Sequence, residues 1–204
     1  MTQAVHVVGV GMIPFTKPGA SEAYDQMGSR AARLALDDAH IDYALVQQAY
    51  VGYVHGDSTA GQAALYGVGL SGIPVVNVNN NCATGSTALW LARQAVASGA
   101  ADCVLALGFE QMVPGALKES WTDRPSPLGR FTSALQAHQG LDAKAPFAAQ
   151  FFGGAARDYI AEHGIAPSTF ARIAVKARQH AARNPLAVFR QTVTLDDVLA
   201  SPSV

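Results

Sequence analysis

The stretch Pro74–Met112, PVVNVNNNCATGSTALWLARQAVASGAADCVLALGFEQM, decides how this chain is read. Val75, Val76 and Val78 form a short β-branched run, which favours extended backbone because branched side chains pack well on a pleated surface. Asn79, Asn80 and Asn81 interrupt it, and Cys82 stands just before a segment in which Ala88, Leu89, Ala92, Ala95 and Val96 recur at helical intervals. Ser98-Gly99 closes that helix, and Cys103 to Phe109 reads as a second buried strand. A thiol therefore stands where a helix begins.

That position has chemical consequences. A helix N-terminus leaves backbone N–H groups without intrahelical acceptors and carries partial positive charge, and both favour thiolate over thiol. Ala83, Gly85 and Ser86 are small enough to let a bulky thioester approach the backbone, where free N–H groups also hold a developing oxyanion. The expectation is an acyl-transfer nucleophile at Cys82. The ordinary alternative for any cysteine is a small buried hydrophobe, and Cys103, inside the stretch Ala101–Leu107 that reads as an apolar strand, is read that way.

NVNNNCATGSTAL (77–89) followed by ADCVLALGFEQM (101–112) resembles the nucleophile region of thiolases, and within them the sterol-carrier-protein or lipid-transfer type. The resemblance extends to VVGVGMIPFTKPG (7–19), YVGYVHGDSTAGQAALY (50–66) and, more weakly, NPLAVFRQTVTLDDVLASPSV (184–204). It implies that Cys82 takes up an acyl group as a thioester during cleavage or synthesis of a 3-oxoacyl-CoA, with coenzyme A as substrate and no covalently bound cofactor. It implies an α/β fold, a β-α-β-α-β-α-β half with a mostly parallel sheet, and a helical loop domain. In thiolases that half occurs twice, and the strand before the nucleophile pairs with its twin in a homodimer. The last strand of this half, and the second half with its GHP-type histidine segment, do not occur in this sequence. The expected organisation is an incomplete thiolase core over 1–112 and a loop or lid domain over 113–204, inactive without the C-terminal half.

In thiolases the loop domain covers the active site, and the part that resembles Ala145–Gly153 lines the acyl pocket. Phe151 stands there in place of a family methionine and is the candidate substrate-binding residue, with an ordinary core aromatic beside Phe152 as the alternative.

With 204 residues, 50% hydrophobic and 14% charged, the chain is long enough for one full core or one core plus a satellite. A net charge of -1 with no basic stripe gives no electrostatic case for nucleic acid or an anionic membrane. Two cysteines in unlike settings make no disulfide framework, and neither CxxC nor His-rich spacing calls for a metal. The N-terminus lacks a basic start followed by a long apolar run, no stretch reaches the roughly 18 apolar residues of a membrane span, and Ser-Pro-Ser-Val is not a peroxisomal address. The expected location is the cytoplasm of a bacterium or an organelle matrix.

Along the chain, Val5 to Val10 is an apolar run that suits a buried strand. Gly9-Val10-Gly11 is a poor dinucleotide fingerprint, because Pro14 replaces its third glycine and no helix follows at once. Ser21 and Glu22 start a helix whose Met27, Ala31, Leu34, Ala35 and Ala39 share a face. Val46 to Val54 reads as a strand and Ala60 to Leu70 as a short helix. Alternating strands and helices over the first 112 residues call for a parallel sheet covered on both faces. Beyond Val113 a proline-interrupted polar segment leads to helices over 150–163 and 167–183.

Lys176, Arg178, His180 and Arg183 form a solvated helix face or, alternatively, a contact to the phosphates of CoA. His55 reads as structural, His138 and His163 as polar loop-domain residues, and His6, His40 and His180 as surface or strand-edge residues, so no histidine is assigned a catalytic role. Two other functions compete with the acyltransferase: an aldolase-type partner within the same fold, which needs no cysteine thioester, and a non-catalytic CoA- or lipid-binding subunit that completes another polypeptide's site.

Overall fold

The computed structural model describes residues 4–114 and 121–202, so Met1–Gln3 and the last two residues of the Ser-Pro-Ser-Val end lie outside it, as do residues 115–120 of the expected loop domain. The chain divides into two compact units, Met1–Ala116 and Leu117–Val204.

The first unit is built on a three-stranded sheet of β1 (Gln48–Gly52), β2 (Val75–Val78) and β3 (Val104–Gly108), in the order β2-β1-β3 and parallel throughout. Crossing back to lay each new strand parallel requires a long connection, and here α2 (Ala60–Tyr66) joins β1 to β2 and α3 (Thr84–Ala97) joins β2 to β3. The central strand is sealed: Ala49 and Val51 are 0% exposed. They share a face with Leu105 and Leu107, and α2 and α1 (Tyr24–Ala39) cover that face with Ala32, Leu36, Ala60, Ala64 and Leu65. On the other face α3 presents Thr84, Ala88, Ala92 and Ala95, a buried stripe of small residues that brings the helix close to the strands.

The run Val5–Val10 is not a strand. It has no regular structure, and Val7, Val8 and Val10 are 73%, 64% and 68% exposed. An extended segment becomes a strand only when a neighbour takes its backbone N–H and C=O groups, and no sheet neighbour lies beside this one among the described residues. Instead the segment lies along α1: a Cβ on Gly9 would stand 2.3 Å from the Ala35 carbonyl oxygen, and one on Gly11 2.3 Å from that of Ala31. The two glycines thus permit close backbone approach, the role that a dinucleotide motif would have given to a phosphate. Val10 N–H donates to Asp38 Oδ2 at 2.8 Å and fixes the register.

Two apolar faces also differ from the spacing argument. In α1 the buried residues are Met27, Gly28, Ser29, Ala32 and Leu36, so Met27 is covered as expected while Leu34 is exposed; the edge of Ala31, Ala35 and Ala39 meets the glycine segment. The helix starts at Tyr24, two residues beyond the expected Glu22, whose carboxylate instead pairs with Arg30. In α3, Leu89 and Trp90 face outward, since alanines suffice to cover the sheet.

The second unit contains α4 (Gly129–Gln139), α5 (Phe147–His163), α6 (Ser168–Ala182) and α7 (Leu195–Leu199). α4 is a helix that the proline-interrupted polar stretch conceals. Its end is tied to α5 by Gln150, a buried carboxamide that accepts from Asp142 N–H at 2.9 Å and donates to the Asp142 and Ala145 carbonyls at 2.9 and 3.1 Å. Pro146 and Pro167 precede α5 and α6, where a missing N–H costs no helix bond, and Gly164 leaves α5 at a positive φ of 61°. Thr194 and Asp197 form a capping box on α7, and the hydrogen bonds that the Asp197 carboxylate accepts from the Thr194 backbone N–H and from its side chain lower the Asp197 pKa. No described helix is long and apolar enough to cross a membrane.

Candidate active site

Three parallel strands end at the same edge of the sheet, and the chain leaving each of them contributes to one small region. β2 exits through Asn79–Asn81 into Cys82, and α3 begins two residues later with Ala83 as its N-cap. Cys82 is exposed and free. Asn81, at φ 47°, makes the reversal that brings the thiol to the surface, and asparagine is among the few side chains that adopt the left-handed region at low cost.

The turn is held by its own polar groups. Thr84, 5% exposed, accepts at Oγ1 from the Asn80 N–H at 2.9 Å and donates the same hydroxyl to the Asn81 carbonyl. The backbone adds Ala83 N–H to Asn80 O at 3.0 Å and Thr84 N–H to Asn81 O at 3.1 Å. Asn80 Nδ2 reaches Thr87 Oγ1 at 3.0 Å, and that hydroxyl donates to Ala83 O at 2.8 Å. Cys82 thus sits inside a loop whose other members are locked on both sides.

Open donors stand next to it. Neither the Gly85 nor the Ser86 N–H finds an acceptor among the described residues, both residues are exposed, and nothing lies within 4 Å of where a Gly85 Cβ would be. These are first-turn amides of a 14-residue helix, with the partial positive charge that such groups carry. The arrangement offers an exposed sulfur and unfilled N–H donors on one short stretch of chain.

The floor of the region is the exit of β1. A Cβ on Gly52 would lie 2.7 Å from Thr84 Cγ2 and 2.8 Å from Thr84 O, so glycine is what lets α3 settle onto the strand end. Tyr53 stacks on Phe109 with ring centroids 5.2 Å apart, and Phe109 stacks in turn on Tyr24 at 5.3 Å. Glu110 accepts from the Val54 and His55 N–H groups at 3.0 and 2.8 Å. Neither Thr84 nor Glu110 stands out on inspection of the sequence. The signals that point to them are weak: a hydroxyl in an otherwise apolar helix stripe, and one carboxylate directly after a buried strand.

Cys103 differs from Cys82 in each respect. It packs half-buried against the core, and burial pushes its thiol pKa up. Phe151, the other candidate, belongs to the second unit, where it packs edge-to-face on Phe147 at 4.6 Å. Of the cations on α6, Arg178 lies over the Phe189 ring at 5.3 Å, while Lys176, His180 and Arg183 are exposed. Among the histidines, His40 ends α1 in the left-handed conformation, His55 gives its amide to Glu110, His138 pairs with Asp158 at 3.0 Å and His163 packs on Tyr159. His6 and His180 are exposed.

Compared with known proteins, the chain matches the family model "Thiolase, N-terminal domain" over residues 5–197. It is 48% identical over 206 residues to sterol carrier protein 2 of Gallus gallus, covering 100% of this chain and 38% of that protein. It is 31% identical over 208 residues to the benzoylsuccinyl-CoA thiolase subunit BbsB of Thauera aromatica, covering 98% of this chain and 49% of the relative. The solved Ltp2-ChsH2(DUF35) aldolase superposes with a TM-score of 0.72 at 24% identity, over 97% of this chain and 48% of that one, a likeness of fold. The chain therefore spans less than half the length of these three proteins.

Proposed function

Because this chain belongs to the thiolase family and carries its N-terminal domain, we propose that Cys82 is the acyl-accepting nucleophile of a degradative thiolase acting on 3-oxoacyl-CoA. The observation that carries this reading is the exposed Cys82 sulfur beside the unfilled Gly85 and Ser86 amides. In the cleavage direction the Cys82 thiolate attacks the 3-oxo carbon and forms a C–S bond while the carbonyl oxygen becomes an oxyanion. Collapse re-forms the carbonyl and breaks the C2–C3 bond, leaving the shortened acyl group on the Cys82 sulfur, and the departing C2 carbanion, still joined to the original CoA, takes a proton to become acetyl-CoA or propanoyl-CoA. A second CoA thiol, giving up its proton, then takes the acyl group from sulfur as the shortened acyl-CoA and returns the Cys82 thiolate. N–H donors placed where negative charge develops lower the barrier to each addition.

The proton carriers of these steps come from the half of a thiolase that this sequence does not contain, so the 204 residues alone are inactive in this reading. Phe151 narrows the acyl pocket, and the exposed Lys176 and Arg183 meet the phosphates of CoA. A second copy pairs along β2, which lies at the sheet edge and exposes Val76 at 45%. An aldolase partner or a simple CoA- or lipid-binding subunit has no use for a solvent-facing thiol in a locked turn.

Incubation of the chain, combined with a C-terminal thiolase half, with a 3-oxoacyl-CoA followed by peptide mass analysis tests the proposal. An acyl mass on the Cys82 peptide, absent in Cys82→Ser and never found on Cys103, is the expected result. Tight CoA binding that is unchanged in Cys82→Ser, with no acylated peptide in the chain combined with a C-terminal half, refutes it.

A further inference from the structure

Resting on the reading of Cys82 as nucleophile, we infer that Glu110 is a positioning residue for it, acting through the exit of β1. The Glu110 carboxylate receives two consecutive backbone amides, Val54 N–H on Oε2 at 3.0 Å and His55 N–H on Oε1 at 2.8 Å. It thereby fixes the chain just where β1 stops and where no strand pairing holds it. That exit is bonded to both neighbours, Tyr53 N–H to Val78 O at 3.3 Å and Phe109 N–H to Gly52 O at 3.1 Å. Val78 is the last residue of β2 before the Asn79–Cys82 turn. Gly52 lies against Thr84, the residue whose hydroxyl clasps that turn. Glu110 thus holds Val54 and His55, these hold Tyr53 and Gly52, and Gly52 sets the height at which Thr84 carries the loop of Cys82.

The opposite end of the same two strands supplies a comparison within the molecule. There Gln47 Oε1 accepts the Asp102 N–H at 2.5 Å and the Cys103 N–H at 3.4 Å. A neutral carboxamide with one oxygen therefore suffices to staple β1 to β3 where no chemistry is placed. At the Cys82 end the staple is a carboxyl group with an oxygen for each amide, both within 3.0 Å, so neither amide shares its acceptor. Glu110→Gln keeps size and shape but turns an NH2 donor toward one of the two amides, so it removes one bond and adds a donor–donor repulsion.

The test measures iodoacetamide labelling of Cys82 and Cys103 in the same sample of the whole chain, by peptide mass analysis. A positioning role predicts that Glu110→Gln slows Cys82 labelling severalfold, because the displaced turn presents the thiol less openly, while leaving Cys103 within about twofold. Glu110→Asp, which keeps the charge but withdraws it by one methylene, falls between the two. A staple that only stabilises the fold would instead raise both rates together through unfolding, and that outcome, or an unchanged Cys82 rate, overturns the inference. If neither variant folds, hydrogen exchange on the native chain decides: the Val54 and His55 amides are slow, and fast exchange there overturns it as well. Failure of Cys82 to accept an acyl group in the chain combined with a C-terminal thiolase half refutes the nucleophile reading separately, because the labelling comparison uses no CoA.

Discussion

Replacing Thr84 by valine removes one hydroxyl and almost nothing else, since the two side chains have nearly the same shape. Thr84 is 5% exposed, and its Oγ1 accepts from Asn80 N–H at 2.9 Å and donates to the Asn81 carbonyl. The methyl that replaces it leaves both groups of the Cys82 turn without this partner. A lost hydrogen bond costs about 1 kcal/mol net, and a donor left unsatisfied away from water costs about 1–3 kcal/mol. Asn80 itself is exposed, so water recovers part of the loss and the sum stays near the lower end, about 1–2 kcal/mol. With a urea slope of roughly 1–3 kcal/mol/M, the unfolding midpoint moves down by roughly 0.3–2 M. The Asn81 carbonyl keeps the Thr84 N–H but loses the hydroxyl, and the Asn80 N–H loses its acceptor, so the turn at φ 47° is held less firmly and the position of Cys82 becomes less defined. The assay is urea unfolding followed by ellipticity, combined with Cys82 labelling, on Thr84→Val and on Thr84→Ser, which keeps the oxygen. Valine should lower both the midpoint and the labelling rate, and serine should retain most of the rate. A valine variant with native stability and native Cys82 reactivity would refute the claim that this hydroxyl organises the turn.

Two further outcomes follow from the same region. Gly52→Ala places a methyl 2.7 Å from Thr84 Cγ2 and 2.8 Å from Thr84 O, a backbone collision that costs about 1–3 kcal/mol and slows Cys82 labelling; an alanine variant that melts like the native protein would show that α3 does not rest on this residue. Cys103, whose thiol pKa is raised by burial, should label only at a higher pH than an ordinary thiol, and because the unfolded chain ionises first, its contribution to stability is present below the ordinary thiol range and lost as pH rises through the folded value. Labelling of Cys103 in parallel with a free thiol across the alkaline range would contradict this.

The parts of the fold legible in the sequence are those with a local cause. Val75–Val78 and Val104–Gly108 are short apolar runs bounded by breakers, and α3 lies between them with helical spacing, so strand, turn, helix and strand are readable without any partner. The position of Cys82 ahead of α3 is legible for the same reason. What fails has a non-local cause. Val5–Val10 has the composition of a strand, yet composition cannot supply a neighbour, and the segment instead lies beside α1. Leu34 and Leu89 fit an apolar period, but which edge of the stripe is covered depends on what faces it, and alanines already fill the contact. The Glu110 staple is illegible because it joins residues 55 and 56 positions apart.

That last separation explains why the region around Cys82 lies where it does. Inside a parallel sheet every strand satisfies its neighbours' backbone groups, but at the carboxyl ends the three chains part and their amides lose those acceptors. Each exit here meets that loss with a different device: β1 with the Glu110 carboxylate, β2 with the Thr84 hydroxyl and the asparagine side chains, β3 with the Phe109 bond back to Gly52. The Gly85 and Ser86 amides, on the helix that follows β2, are left open. In the reading proposed for Cys82, these two exposed amides beside the free thiol are the donors that would receive a ligand's oxygen. Filling them with a side chain is therefore the change that should separate folding from acyl transfer at this edge of the sheet.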